Sequence, residues 1–199
     1  IFSILFLSGI NFISKAQTGL CPPNLDFEQG DFTNWVCRTG VADLVGGLNT
    51  ITWTGTGPNP TLHRIIAAPG GRDFFGNFPE LCPNGSGFTA KFGNETASLS
   101  GVIGKEASGI SYTYTIPAST TTFSVLFHYA IVLENPGHLP EEQPRFRARI
   151  RDLSTGNTIP CVTFDFTASA GLPGFLQSDV NPNVIYKTWT PVTLNLSGL

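Results

Sequence analysis

Short runs of β-branched and aromatic residues alternate along this chain with clusters of turn-forming residues. The clusters combine Gly with Pro, Asn or Ser, which are residues that set the geometry of turns. No segment shows the sustained helical period of apolar residues, with caps, that a long helix requires. The pattern therefore predicts an all-β protein. The clearest clusters are Val45–Gly47, Pro69–Gly71, Pro83–Gly85, Asn135–Gly137, Ser154–Asn157 and Gly171–Gly174.

Three apolar patterns between these turns predict individual strands. Residues 110–116 alternate strictly between apolar and polar positions, and residues 190–196 alternate in the same way. The longest apolar run, residues 123–133, predicts a central strand buried on both faces. Because long loops interrupt the strands, we expect a jelly-roll-like β-sandwich that forms a single domain over residues 17–199.

The two ends of the sequence predict an exported fragment of a longer protein. Residues 1–13 are mostly apolar, and Ser14-Lys15-Ala16 follows as a cleavage pattern, so residues 1–16 are expected to be a signal peptide cut at its start. This run is shorter than the roughly 20 apolar residues that span a bilayer, so no transmembrane segment is expected. The alternating run at residues 190–196 ends near Leu199, and we expect the sandwich to continue beyond that residue.

Charge and cysteine content narrow the possible partners. The formal net charge is −3, which does not provide the positive field expected of a nucleic-acid-binding protein. In an exported chain the four cysteines are disulfide candidates, and sequence alone leaves all three pairings open. Their irregular spacing makes a zinc site improbable. The four are Cys21, Cys37, Cys82 and Cys161.

A row of arginines is the first of three candidate binding features. Every second residue of a strand faces the same side, so these side chains are expected to share one face. Such a row needs either neighbouring carboxylates or an anionic ligand, and we favour internal ion pairs over an anionic glycan site. The arginines are Arg145, Arg147, Arg149 and Arg151, and the carboxylates considered are Glu134, Glu141, Glu142, Asp152 and Asp165.

Oxygen-rich clusters are the second feature. Calcium is bound by carboxylate, amide and carbonyl oxygens, so these clusters suggest a structural calcium ion that holds the terminal strands. The alternative is that the side chains bond to their own backbone as turn formers. One cluster comprises Asn24, Asp26, Glu28 and Asp31, and the other comprises Asp179, Asn181 and Asn183.

Aromatic residues on a loop are the third feature. Phe74, Phe75 and Phe78 lie beside Arg72 and Asp73, an arrangement that could stack on a sugar ring and bond its hydroxyls. The three tryptophans, Trp35, Trp53 and Trp189, belong to the same pool of aromatics. Because aromatic side chains bury large areas, we expect each tryptophan to lie in the core.

Catalytic motifs are not apparent. His63, His128 and His138 are widely separated and form no metalloprotease motif, and no nucleophile elbow is present. His128 lies in an apolar run and is expected to be a hydrogen-bonded core residue. Glu134 with Glu141 or Glu142 could form a glycosidase pair, but carboxylate-bearing chains commonly offer such pairs. The sequence favours a protein that is not an enzyme.

Three segments resemble the N-terminal β-sandwich module of large secreted Bacteroidota surface proteins. They are residues 24–35 (NLDFEQGDFTNW), 127–152 (FHYAIVLENPGHLPEEQPRFRARIRD) and 186–199 (YKTWTPVTLNLSGL). The resemblance implies a jelly roll similar to galactose-binding and carbohydrate-binding modules. It also implies a secreted or cell-surface location and further domains in the same chain, such as PKD repeats and a type IX sorting domain.

Three functions remain open from the sequence. The first is a non-catalytic adhesion or carbohydrate-binding module whose partner is a glycan or another cell-surface polymer. The second is an accessory domain of a secreted hydrolase whose catalytic domain lies outside residues 1–199, and the third is a structural spacer. Fold-level resemblance does not choose among them, because function depends on a site.

Overall fold

A computed structural model of the chain describes residues 21–94, 105–160 and 163–196. The expected signal peptide and Cys161 lie outside these residues. The described part contains ten strands and a short 3-10 helix, Pro140–Glu142, and every strand pairing is antiparallel. The strands are β1 (Trp35–Val45), β2 (Leu48–Thr56), β3 (His63–Ala67), β4 (Phe88–Phe92), β5 (Glu106–Tyr112), β6 (Ser124–Glu134), β7 (Arg145–Ala148), β8 (Phe164–Thr167), β9 (Leu176–Gln177) and β10 (Val184–Asn195).

The N-terminal half is built on a three-stranded sheet with the order β2-β1-β5. Gly46 and Gly47 join β1 to β2 with φ angles of 60° and 79°, the conformation that a tight hairpin turn requires. A register shift follows Thr39, which pairs with Gly55 while Gly40 pairs with Trp53. This β-bulge changes the local twist of the hairpin beside Trp53.

The inner face of this sheet packs against an aromatic cluster. The Trp35 ring stacks on Phe27 with centroids 4.7 Å apart, and Phe32 lies near both His63 and Phe92. Because His63 and Phe92 form the first pair of the β3–β4 ribbon, these contacts hold the ribbon beside the sheet. Rings from the opening segment thus close the N-terminal half.

The C-terminal half combines a sheet with the order β6-β10-β9 and the β7–β8 ribbon. Ile131, Leu133, Ala168 and Ile185 form its buried core, and the aromatic rings of Tyr129, Phe146, Phe166 and Phe175 surround them. A second cluster is centred on Leu194 and Leu196. Aliphatic side chains from paired strands therefore supply the centre of this half.

The prediction that residues 123–133 form a central, doubly buried strand is wrong. Among the described residues β6 pairs only with β10, and β10 is the middle strand. Ile131 is 4% exposed whereas Leu126, on the opposite face of β6, is 61% exposed. An apolar run favours a strand, but it does not determine how many neighbours that strand has.

The other strand predictions are confirmed in part. β5 covers residues 106–112, so only the first three residues of the predicted strand at 110–116 are in a strand. The alternating run at 190–196 lies in the second part of β10, which ends at Asn195. Paired strands, rather than alternation alone, determine these limits.

One loop joins the two halves. Phe78 stacks on Tyr186 of β10 with ring centroids 6.1 Å apart, and the Trp189 indole donates a hydrogen bond of 2.7 Å to Pro79 O. The Ser178 hydroxyl donates to Phe75 O across 2.7 Å. The loop that follows β3 is therefore fixed on β10 and its neighbouring turn.

The expected all-β class is confirmed by these sheets. None of the helical residues within the described ranges forms a segment long and apolar enough to cross a bilayer.

Candidate ligand-binding site

The outer face of the N-terminal sheet carries an exposed aromatic ring, that of Trp53. A Cβ atom placed on Gly109 of β5 would lie 2.8 Å from Trp53 Cη2, and one placed on Gly40 of β1 would lie 3.1 Å from Cε3. The indole thus extends from β2 across β1 to β5 and occupies the space above two glycines. It nevertheless remains 43% exposed. A supported aromatic ring with exposed surface is suited to stacking on the apolar face of a ligand.

Polar side chains share this outer face with Trp53. Strand register pairs Arg38 with Gly109 and with Thr56, and pairs Val36 with Ser111. Directly opposed residues point to the same side of a sheet, so Arg38, Thr56 and Ser111 belong to the face that carries Trp53. All three are exposed. We define the Trp53 platform as Trp53 with Arg38, Thr56 and Ser111; it offers one stacking surface, a guanidinium donor and two hydroxyls.

The expectation that every tryptophan lies in the core is wrong for Trp53. Trp35 is half-buried, and its indole donates a 2.8 Å hydrogen bond to Asn24 O. Trp189 is likewise half-buried and anchored to Pro79 O. Sequence reasoning missed Trp53 because its exposure depends on neighbouring strands. Gly40 and Gly109 were the available indication, since glycine inside a strand often marks close approach of another group.

The Phe74/Phe75/Phe78 loop is only partly exposed. Phe74 is 70% exposed and meets Phe75 edge to face, whereas Phe78 is buried against Tyr186. The prediction that Phe78 belongs to a sugar-stacking surface is therefore wrong, because this buried ring anchors the loop to β10.

The polar residues of the same loop are engaged within it. The buried Asp73 carboxylate accepts hydrogen bonds from Phe75 N and Gly76 N, at 3.0 and 2.8 Å. The Arg72 guanidinium donates to Asn77 Oδ1 across 2.7 Å and also to Asn77 O. Arg72 and Asp73 thus stabilise the turn that presents Phe74.

The arginine row faces solvent, and one carboxylate braces it. Arg145 and Arg147 lie on β7, and both donate to Asp165 of β8, with Arg145 bound through two nitrogens. The Arg145 hydrogen bonds hold the pKa of Asp165 below its ordinary value, although partial burial opposes this effect. The preferred interpretation of internal ion pairs is confirmed for these two arginines.

The remaining arginines lie beyond the end of β7. Arg149 is exposed and continues the outward alternation, and Arg151 donates to Gly156 O across 2.9 Å. Asp152 is not their partner. Its carboxylate accepts hydrogen bonds from Ser154 and Thr155, which lower its pKa.

The first oxygen-rich cluster forms a hydrogen-bonded turn. Buried Asn24 donates from Nδ2 to Thr33 O at 2.8 Å and to Asp31 O at 3.1 Å, and its Oδ1 accepts from Gln29 N at 3.0 Å. Asp26 and Asp31 accept hydrogen bonds from backbone N–H groups two residues onward. These are the bonds expected of turn formers.

Glu28 and the second cluster have separate roles. The Glu28 carboxylate accepts from Ser86 Oγ and, at 3.0 Å, from Gly87 N, and it thereby ties the opening turn to the approach of β4. Asn181 Oδ1 accepts from Asn183 N at 2.9 Å in the turn before β10, and Asp179 is exposed. Within the described ranges, no group of three or more His, Cys, Asp or Glu is arranged to hold a metal ion. Structural calcium stays a prediction.

The described cysteines do not pair with one another. Cys21, Cys37 and Cys82 are free, and Cys161 lies outside the described residues. Burial raises the pKa of the Cys37 and Cys82 thiols, which lowers their thiolate fraction.

His63 is a buried structural residue. Its Nδ1 accepts a hydrogen bond from Asn59 N at 3.2 Å, so the proton lies on Nε2, which is 3.3 Å from Gly109 O. The ring thereby connects β3 to the same glycine that supports Trp53. His128 is half-buried on β6 opposite Pro191, and His138 is exposed. The three histidines lie in different parts of the fold.

Comparisons with protein-family models, curated proteins and solved structures return no significant match to this chain.

Proposed function

We propose that this chain is a non-catalytic carbohydrate-binding module with an adhesive role, and that the Trp53 platform is its principal contact with glycan. The observation that carries the proposal is the exposed indole supported across Gly40 and Gly109. Sugar rings present apolar C–H faces edged by hydroxyls. The Trp53 ring can stack on the C–H face of a sugar, and Arg38, Thr56 and Ser111 can form hydrogen bonds with its hydroxyls.

The support beneath Trp53 favours binding energetically. A side chain that is already packed on one face loses little rotamer freedom when a ligand covers the other face. Gly109 permits this arrangement because a Cβ there would meet the ring, and a Cβ at Gly40 would meet both Thr52 O, at 2.5 Å, and the ring, at 3.1 Å.

The wider setting of the proposal comes from the sequence. A jelly-roll-like sandwich, export to the cell surface and a place among modules of Bacteroidota surface proteins are parts of the same hypothesis. The antiparallel all-β architecture is consistent with it. An accessory role beside a separate catalytic domain would use the same glycan contact.

An array of immobilised neutral and acidic glycans tests the proposal directly. The protein should bind at least one class of polysaccharide, and Trp53→Ala should weaken that binding at least about tenfold while Trp53→Tyr keeps part of it. Phe74→Ala is the matched control, since Phe74 is also an exposed aromatic but lies on the joining loop. No glycan binding, or binding unaffected by Trp53→Ala, would overturn the proposal.

A further inference from the structure

The β1–β2 hairpin extends beyond the sheet to which it belongs. β1 runs to Val45 and β2 begins at Leu48, but among the described strands β5 pairs with β1 only as far as Val41. Directly after that pair, Ala42 N donates a backbone hydrogen bond to Lys105 O. Past Ala42 the hairpin continues as a ribbon of two strands, which extends roughly 10 Å before the turn at about 3.3 Å per residue.

The tip of this ribbon is apolar and exposed. Residues 44–48 read Leu-Val-Gly-Gly-Leu and contain no polar side chain. Leu44 is 49% exposed, Val45 is 60% exposed and Leu48 is 70% exposed. A Cβ atom placed on Gly46 or Gly47 would meet no described atom within 4 Å. The tip therefore stands clear of the described parts of the fold, and contiguous exposed apolar side chains mark interaction sites.

Apolar side chains lie on both faces of the ribbon. Val45 and Leu48 are a cross-strand pair, so they share one face, whereas Leu44 precedes Val45 by one residue and points to the other. Ile51, which is opposite Ala42, lies on the face of Leu44 and is also exposed. A flat partner surface would cover one face and leave the other in water. A fluid apolar medium would cover both faces at once.

Polar groups begin at one level behind the tip. On β2 the first polar residues are Asn49 and Thr50, and Thr50 lies opposite Asp43 of β1. The Asp43 carboxylate accepts a hydrogen bond of 3.1 Å from Lys105 Nζ, and both side chains of this ion pair are about half exposed. Asp43 is three residues before Gly46, so these charges stand roughly 10 Å behind the turn. This length matches the depth of about 5–10 Å to which interfacial segments enter the boundary between lipid headgroups and acyl chains.

Charge supplies no separate attraction to a membrane. The chain has a formal net charge of −3, and residues 44–48 carry no charge. Lys105, which stands behind the tip, is already paired with Asp43. Contact with a membrane should therefore depend on apolar side chains and be insensitive to anionic lipid and to salt. A zwitterionic lipid surface is the partner that this chemistry fits.

We propose that the tip of the β1–β2 hairpin inserts reversibly into the interfacial region of a zwitterionic lipid bilayer. Leu44, Val45 and Leu48 enter the acyl boundary, and the ion pair behind them stays among the headgroups. The proposal does not rest on the Trp53 platform. Trp53 is five residues beyond Leu48 on β2, roughly 16 Å behind the tip, and so lies outside the inserted part.

The mature chain, residues 17–199, is the form to test. The apolar residues of the expected signal peptide would themselves partition into lipid, and residues 17–199 retain every residue that the structure describes. Flotation with vesicles of palmitoyl-oleoyl phosphatidylcholine should carry the protein with the lipid. Adding phosphatidylserine to the vesicles, or salt to the buffer, should leave the bound fraction unchanged.

Substitutions at matched positions identify the tip as the contact. Leu48→Ser removes one inserted side chain and should lower the partition coefficient about tenfold. Leu126→Ser is the control, because Leu126 is a leucine of similar exposure, 61%, on β6 in the other half, and it should leave partitioning unchanged. Trp53→Ala should likewise have no effect. Val45→Ser provides a second test at the tip if Leu48→Ser does not fold.

Paramagnetic broadening locates the inserted segment. With nitroxide-labelled phosphatidylcholine in nanodiscs, the amide resonances of Gly46, Gly47 and Leu48 should broaden, whereas that of Thr54 should not. The proposal is overturned if the chain does not bind phosphatidylcholine, if the broadening is centred elsewhere, or if Leu48→Ser and Leu126→Ser bind alike. It is also overturned if the chain self-associates without lipid and Leu48→Ser abolishes that association, because a second copy then covers the tip.

Discussion

The two halves of the molecule bury their sheets by different means. The N-terminal sheet is closed by aromatic rings whose positions are fixed by polar side chains, chiefly Asn24 and His63. The C-terminal sheet is closed by a buried aliphatic core of Ile131, Leu133, Ala168 and Ile185, and the rings that surround this core are held by packing on it. Polar anchoring specifies position through direction and distance, whereas apolar packing contributes free energy in proportion to buried area.

The two halves also differ in the surface that they leave accessible. The N-terminal half leaves the outer face of its sheet exposed, with Trp53 as a stacking surface. The C-terminal half presents a cleft between the β6–β7 loop and the residues after β8, in which Gln143 is one of the few buried polar groups.

The largest effect is expected in the C-terminal core. Ile131→Ala should lower the free energy of unfolding by about 3 kcal/mol, because it removes buried methyl and methylene groups and leaves a cavity among Leu133, Ala168 and Ile185. Denaturant unfolding measures the change. Leu126→Ala, on the same strand but 61% exposed, is the control and should cost less than about 0.5 kcal/mol. Equal losses in the two variants would contradict the one-sided burial of β6.

A smaller effect is expected from the polar anchor of the N-terminal half. Asn24→Ala should cost about 2 kcal/mol, because it removes the hydrogen bonds to Thr33 O, Asp31 O and Gln29 N. Asn24 has a φ of 56°, which a β-carbon-bearing residue such as alanine adopts with strain.

Asn24→Gly is the matched control for that backbone effect. It removes the same hydrogen bonds but tolerates positive φ, so thermal unfolding should show a smaller loss than for Asn24→Ala. If glycine destabilised the protein as much as alanine, backbone strain would make no contribution at this turn.

The smallest effect is expected from the ion pairs of the arginine row. Asp165→Asn should cost about 1 kcal/mol at neutral pH, since the pairs with Arg145 and Arg147 are partly solvated. The pKa of Asp165 is held below its ordinary value, so its stabilisation is complete above the ordinary pKa and is lost as the pH falls through the lowered one.

The difference in melting temperature between the wild type and Asp165→Asn should therefore narrow as the pH falls below about 4. Asp179→Asn removes the same formal charge at an exposed turn. Its melting temperature should stay close to that of the wild type both at neutral pH and in acid. If the difference in melting temperature between the wild type and Asp165→Asn increased in acid, the ion pairs of Asp165 with Arg145 and Arg147 would not be stabilising.

Local sequence patterns predicted the features that depend on neighbouring residues. The outward alternation of Arg145, Arg147 and Arg149 follows from the two-residue period of an extended chain. The turn at Gly46 and Gly47 follows from the freedom of glycine at positive φ. Neither feature depends on which strands are neighbours.

Features that depend on strand neighbours were not predicted. β6 was expected at the centre of a sheet but pairs only with β10 among the described strands. Trp53 was expected in the core, but its ring lies over Gly40 and Gly109, which belong to two other strands. The exposure of the β1–β2 hairpin tip likewise depends on strand pairing, because among the described strands β5 pairs with β1 only as far as Val41.

The sequence by itself determined the all-β class, the principal turns and the solvent-facing row of arginines, because each arises from backbone preferences over a few consecutive residues. Tertiary structure decided which carboxylate braces that row, which tryptophan is exposed and where a cleft forms. Those outcomes depend on contacts between residues far apart in the chain. Local preferences define the strands, whereas the packing of strands and loops determines which side chains are available to a ligand.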